Sequence, residues 1–204
     1  MQELEVINIL KKDLNFSDKS IEKLKKFIHL VLRENKNYNL IAKSTENQIW
    51  LRHILDSAQL VKFIDFNSNS LADLGSGAGF PGIVIEIFNK NKAFHVKLYE
   101  KSPVKRSFLK KVIDDLNLKA QVLGDVRDEI IESDIIVCRA FKKLDNIIQV
   151  SREIAKKPYK LIILKGQNAQ EEINKSFKTK KYPYKLERSI TNKDSKIILM
   201  QINK

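Results

Sequence analysis

Leu71-Ala72-Asp73-Leu74-Gly75-Ser76-Gly77-Ala78-Gly79-Phe80-Pro81-Gly82 decides how the rest of the chain is read. An apolar run ends at Leu74, glycines follow at every second position, and Pro81 opens the apolar residues 83–88. The pattern predicts a strand, a tight glycine turn and a helix with proline in its first turn, where a missing N–H costs nothing. Glycine accepts positive φ and lets a ligand come within contact distance of the backbone. The helix start adds unpaired N–H groups beside it. Together they describe a nucleotide-type pocket.

Gly77-Ala78-Gly79-Phe80-Pro81-Gly82 also satisfies the dinucleotide fingerprint GxGxxG, which is weak evidence alone. Asp73 puts a carboxylate at the strand's end, which suits a cationic ligand better than a phosphate. Pro81 removes an N–H that a pyrophosphate would use. The stretch therefore resembles the first motif of S-adenosylmethionine (AdoMet) methyltransferases, with Asp73, Gly75, Gly77 and Gly79 as the expected cofactor contacts. A purely structural glycine turn and a dinucleotide oxidoreductase are the competing readings.

At 204 residues the chain is long enough for one domain with an extra subdomain and a substantial core. The single cysteine, Cys138, excludes an intramolecular disulfide and fits a reducing compartment. No apolar run approaches the ~20 residues of a membrane span, and Met1-Gln2-Glu3-Leu4-Glu5 lacks a basic-then-apolar signal. The expectation is a cytosolic monomer with no membrane partner. Net charge is +13, from 38 Lys+Arg against 25 Asp+Glu, and such a surface is drawn to polyanions. The charge is concentrated: residues 101–111 hold five basic side chains and no acid, and residues 175–196 hold eight against two acids. A nucleic acid is the expected partner.

Helical spacing predicts helices over residues 3–12, after Ser17 through Leu32, and over 45–63. From residue 71 strands and helices alternate. Strands are expected at 71–74, 95–100, 120–123, 135–138 and 160–164, and helices at 81–89, 103–117, 144–155 and 169–177. Alternation of this kind means a parallel sheet covered on both faces. Residues 182–188 and 196–202 read as two further strands, the last antiparallel, a common ending in methyltransferase folds. The domain reading is a helical subdomain over residues 1–66 and an AdoMet-binding domain over 67–204.

Ligands of open α/β sheets lie outside the carboxyl ends of the strands, so residues there are the candidates. Glu100 is placed to accept from ribose hydroxyls. Asp125, Asp128 and Glu129 follow the third strand, near where an adenine amino group would lie. The fourth delivers Cys138, expected as a small buried residue, and Arg139, expected to contact ligand; the fifth delivers Lys165. In the 45–63 helix, Asp56 falls one turn from both Arg52 and His53. Lys105, Arg106, Lys110 and Lys111 lie largely off the apolar stripe of the 103–117 helix and are candidates for phosphate binding.

Tyr38-Asn39-Leu40, Arg52-His53-Ile54-Leu55-Asp56-Ser57, the glycine run through Phe80-Pro81-Gly82-Ile83, Tyr99-Glu100, Lys105-Arg106-Ser107-Phe108-Leu109, Arg139-Ala140-Phe141 and Lys165-Gly166 form a set. With it the chain resembles the small-subunit ribosomal RNA guanine-N7 methyltransferases, the glucose-inhibited division protein B family. The resemblance implies an α/β, Rossmann-like class I AdoMet methyltransferase: a seven-stranded, mostly parallel sheet with one antiparallel strand, preceded by helices. It also implies methyl transfer from AdoMet to N7 of one guanine in 16S ribosomal RNA of the small subunit. Carried over by position, Gly75 and Phe80 line the cofactor, Asp128 and Glu129 meet its adenosine end, and Arg139 completes the site. The sequence departs from the family at Cys138 (usually Ser), Arg106 (usually Lys) and Asp128 (usually apolar), the last leaving Asp128 a backbone role. Guanine N7 has a free lone pair, so in-line attack on a sulfonium methyl needs alignment and water exclusion, not a metal or a triad. Asn39, Arg52, His53 and Asp56 are then expected on the guanine side, and Lys105, Arg106 and Lys165 on the RNA backbone. The alternative is an AdoMet-binding protein of this fold that is non-catalytic or acts on a small molecule or protein.

Overall fold

The computed structural model describes residues 1–139, 143–177 and 182–203. Ala140 and Phe141 of the Arg-Ala-Phe motif lie outside the described residues, as do residues 178–181 of the second basic run. Helix α1 spans Glu3–Lys12 and α2 spans Asp18–Asn35. Ser17 starts α2 by accepting a hydrogen bond from the Ser20 N–H, and Ile21, Leu24, Phe27, Ile28 and Val31 form its buried stripe. The helix runs one turn past the expected end because the side chain of Asn35 is buried and bonded: its Oδ1 accepts from the N–H groups of Leu40 and Ile41.

A single helix over 45–63 is not what forms. The segment is a 3-10 turn (Lys43–Gln48), a π turn (Trp50–Leu55), a short α3 (Asp56–Ala58) and a second 3-10 turn (Gln59–Phe63). The cause is a side chain distant in sequence: the Arg52 carbonyl accepts from the Arg139 guanidinium at 3.0 Å, and the Asp56 N–H reaches back to the Leu51 carbonyl. A donor inserted into the helical ladder widens it, and π turns of this kind cluster at functional sites.

The sheet has seven strands in the order β3-β2-β1-β4-β5-β7-β6. They are β1 (Ser70–Leu74), β2 (His95–Tyr99), β3 (Gln121–Leu123), β4 (Ile135–Arg139), β5 (Tyr159–Lys165), β6 (Tyr184–Arg188) and β7 (Lys196–Ile202). β7 alone runs opposite to the other six strands. Alternation along each strand divides the core: Leu71, Leu98, Val137 and Ile162 face one apolar cluster, and Ala72, Tyr99, Ile136 and Ile163 face the other. The first cluster includes residues of α1, α2, α4 (Gly82–Phe88) and α5 (Pro103–Leu116), so the N-terminal helices and the sheet share one core. The second is covered by α6 (Leu144–Ile154) and α7 (Ala169–Ser176). Chain order reverses between β1 and β4, and the glycine turn leaves β1 at that switch point. Among the described residues no helix is long and apolar enough to cross a membrane.

Candidate active site

The turn after β1 is held from β2: the N–H groups of Gly75 and Ser76 both donate to the Tyr99 carbonyl, at 2.9 and 3.0 Å. Gly75, Gly77 and Gly79 take φ of 74°, 57° and 99°, the left-handed region that other residues avoid. Gly77 has open space on its side-chain face, where a Cβ would meet only the Gly75 carbonyl oxygen at 3.9 Å. Gly79 is glycine for packing, since a Cβ there would stand 2.6 Å from Ile83 Cγ1. Glu100, just beyond β2, is buried, with Oε2 accepting from the Gly77 N–H at 2.9 Å and Oε1 from the Ser102 N–H at 2.8 Å. Each oxygen keeps a second lone pair for a ligand hydroxyl.

Asp73 lies beneath this turn rather than in it. Strand alternation sends its side chain to the α4 face, where Oδ2 accepts from the Gly82 N–H at 2.9 Å. The carboxylate is fully buried, Oδ1 has no hydrogen-bond partner among the described residues, and burial pushes its pKa up to about 7. An acid whose folded pKa is raised binds its proton longer when folded, so its contribution to stability is lost as pH rises from about 4 to about 7. Replacing Asp73 by Asn is expected to remove one proton's worth of that slope; parallel chemical denaturation of both proteins across the window would show it, and parallel curves would refute it.

Two adjoining clefts open on the carboxyl rim. The first, of about 450 Å³, is walled by Gly75, Ser76, Gly77, Phe80, Tyr99, Glu100, Lys105 and the Asp125–Arg127 turn. The second, of about 770 Å³, is walled by Arg52, Asp56, Lys143, Lys165 and Glu172, with Thr191, Asn192 and Ser195 from the β6–β7 turn. His53 and Arg139 line both and form the partition.

Arg139 is the centre of that partition. Its guanidinium donates to the Arg52 carbonyl, to Asp56 Oδ2 at 3.3 Å and to His53 Nδ1 at 3.0 Å, and lies 5.2 Å from the Phe80 ring centre. Arginine has no acceptor, so His53 Nδ1 must be the acceptor and Nε2 carries the hydrogen. Nε2 donates to Thr45 Oγ1 at 2.8 Å, and that hydroxyl donates onward to the Ala42 carbonyl. Burial, then the Arg139 and Arg52 charges, lower the His53 pKa to about 3. The imidazole is neutral at physiological pH with both nitrogens engaged. Asp56 Oδ1 is held by the Thr191 hydroxyl at 2.8 Å and the Gln59 amide at 3.1 Å.

The family model for rRNA small subunit methyltransferase G (GidB) matches residues 20–198. The chain belongs to that family. The ribosomal RNA small subunit methyltransferase G of Pelagibacter ubique is 36% identical over 201 residues, covering 96% of this chain and 93% of the relative. That of Rickettsia felis is 38% identical over 179 residues, covering 87% of this chain and 91% of the relative. Among solved structures, the B. subtilis tRNA methyltransferase TrmK aligns with TM-score 0.56 at 14% identity, over 76% of this chain and 68% of that one. A SAM-dependent methyltransferase from Aquifex aeolicus aligns with TM-score 0.54 at 14% identity, over 72% and 89%. These last two show the fold: a class I methyltransferase sheet.

In this member of the methyltransferase G family, Gly75, Gly77, Phe80, Glu100, Lys105 and Arg139 come together at the first cleft, and Arg52, His53, Asp56 and Lys165 at the second. Gly79 packs on Ile83 and Leu109, and Asp73 supports the turn from below. Asn39 is exposed and outside both walls, next to Leu40 and Ile41, which line the first. Asp128 is exposed and Glu129 half-buried, and neither lines the cleft; Asp125, Val126 and Arg127 do. Arg106 is committed to the Glu100 and Lys101 carbonyls at 3.0 and 2.7 Å, and Lys165 pairs with Glu172 at 2.7 Å. Cys138 is buried in the core, where burial raises its thiol pKa. Thr191 escapes the sequence reading because its partner, Asp56, lies 135 residues away and is fixed only by folding; Gln59, three residues after Asp56, and Thr45, eight before His53, are within reach of a spacing argument.

Proposed function

We propose that this chain methylates N7 of a guanine in 16S ribosomal RNA of the small subunit, using AdoMet held in the first cleft and the guanine in the second. The observation that carries the reading is the partition: a neutral histidine and an arginine separate a glycine-walled cleft from a cationic one. AdoMet supplies a methyl on a positively charged sulfur. Gly75 and Gly77 let the backbone approach that ligand, and Glu100 offers lone pairs to its ribose. On the other side, Arg52 attracts the RNA backbone while Asp56 and Arg139 set the cleft's edge and Lys165 is held there by Glu172. His53 has no free lone pair with which to accept a proton. That fits a nucleophile whose lone pair already exists and whose methylation needs placement rather than a base.

Residues 1–66 supply His53, Arg52, Asp56 and the Leu40–Ile41 wall, and residues 67–204 the glycine turn and the rim, so each domain contributes to both clefts. The described lining of both clefts comes from one chain, which supports action as a monomer, and the reaction is assigned to the cytoplasm, where a single buried cysteine stays reduced. The test is incubation with labelled AdoMet and under-methylated small subunits, followed by mapping of the modified nucleotide. Label on guanine N7 of 16S RNA is expected; label on protein alone, or on a pyrimidine, would overturn the assignment.

A further inference from the structure

The cationic cleft does not end at the β6–β7 turn. Its wall residues Thr191 and Asn192 also line a groove of about 540 Å³ on the outer side of that turn, together with Arg188, Lys193 and Lys196. The three cavities thus form a chain: the first joined to the second by His53 and Arg139, the second to the third by Thr191 and Asn192.

The groove has the chemistry of a polyanion site. Among the described residues its charged wall residues are all cations; Asp194, in the same turn, is exposed and not part of the wall. Among the described residues none of Arg188, Lys193 and Lys196 is in an ion pair, whereas Lys185 on the same hairpin is bonded to Glu187 at 2.7 Å. The turn is also at the correct end of the sheet, because Lys196 stands opposite Lys165 at the carboxyl end of β5.

It is braced as well. The Ile190 N–H donates to Gln59 Oε1 at 2.9 Å, the Gln59 amide donates to Ser189 Oγ, and the Thr191 hydroxyl donates to Asp56. Gln59 and Ser189 are buried. A turn pinned to the segment that carries His53 and Asp56 holds its cations at a fixed distance from the partition. A strand whose base enters the second cleft has its neighbouring phosphates within a continuous cationic path.

We infer that the β6–β7 turn is a second grip on the RNA backbone, with Arg188, Lys193 and Lys196 holding phosphates of the strand that flanks the target guanine. The inference rests on the second cleft being the guanine side. Each phosphate contact on single-stranded RNA contributes about 0.7 to the slope of log affinity against log salt. The triple variant Arg188→Gln/Lys193→Gln/Lys196→Gln should therefore lower that slope by about 2 and weaken RNA binding by about fiftyfold near 0.15 M salt. The loss is expected in KM for RNA rather than in kcat, with AdoMet affinity as in the parent. Lys90→Gln/Lys92→Gln, two exposed lysines before β2 at the opposite end of the strands, is the charge control. A triple variant with the slope and affinity of that control would overturn the groove, as would loss of AdoMet affinity alongside RNA affinity. Arg52→Gln, assayed in parallel, reports on the second cleft: RNA affinity unchanged there but lost in the triple variant would refute the cleft assignment and with it the groove's place beside the target guanine, leaving the turn as an RNA contact only.

Discussion

Gly77→Val is expected to abolish AdoMet binding, leaving no heat of binding where the parent gives a measurable isotherm. Two effects add. At φ of 57° a β-branched residue sits in a region costing roughly 1–2 kcal/mol. The new side chain would also stand in space that belongs to the first cleft, since nothing but the Gly75 carbonyl oxygen lies within 4 Å of a Cβ there. Strain lowers stability; occupied volume removes the ligand. Thermal unfolding separates them, because strain of that size shifts Tm by only a few degrees in a chain of this length. Gly77→Ala, carrying most of the strain and little of the volume, should retain weakened binding. Parent-like affinity in Gly77→Val would show that the cofactor lies elsewhere. Gly82 offers a contrast: a Cβ there meets Leu98 Cδ2 at 2.3 Å, so its replacement acts on the fold.

Arg139→Gln should lower turnover by about a hundredfold to a thousandfold, with a smaller effect on AdoMet affinity. The substitution removes one planar donor group that serves three acceptors and lies against Phe80. Asp56 then loses its cation, His53 its donor, and the π turn the guanidinium that caps the Arg52 carbonyl. Removing one member of a mostly buried ion pair leaves the other uncompensated, and small misplacements in a reacting pair already cost on the order of 10² in rate. Arg139→Lys should not restore activity, because an ammonium cannot reach three directions in one plane. Single-turnover kinetics on under-methylated small subunits is the measurement, and a Lys variant with parent rates would show that only the charge matters.

The sequence by itself determined the order of strands and helices, the glycine turn and the apolar faces. These follow from local rules: period-two and helical spacing of apolar residues, glycine where φ is positive, Ser17 where the second helix begins. It also drew attention to Arg52, His53, Asp56, Glu100 and Arg139, whose positions after strands or on one helical segment are readable in one dimension. Only the tertiary structure decided what these residues do to one another. Folding sets Arg139 against a segment more than eighty residues earlier, opens the predicted helix into a π turn, and makes His53 an acceptor with no proton to gain. It moves Asp73 beneath the turn, puts Asp125 rather than Asp128 at the cleft, and brings Thr191 onto Asp56. The reason is that a side chain's ionisation and hydrogen bonding depend on burial and on partners distant in the chain. Neither is written in the spacing of residues along it.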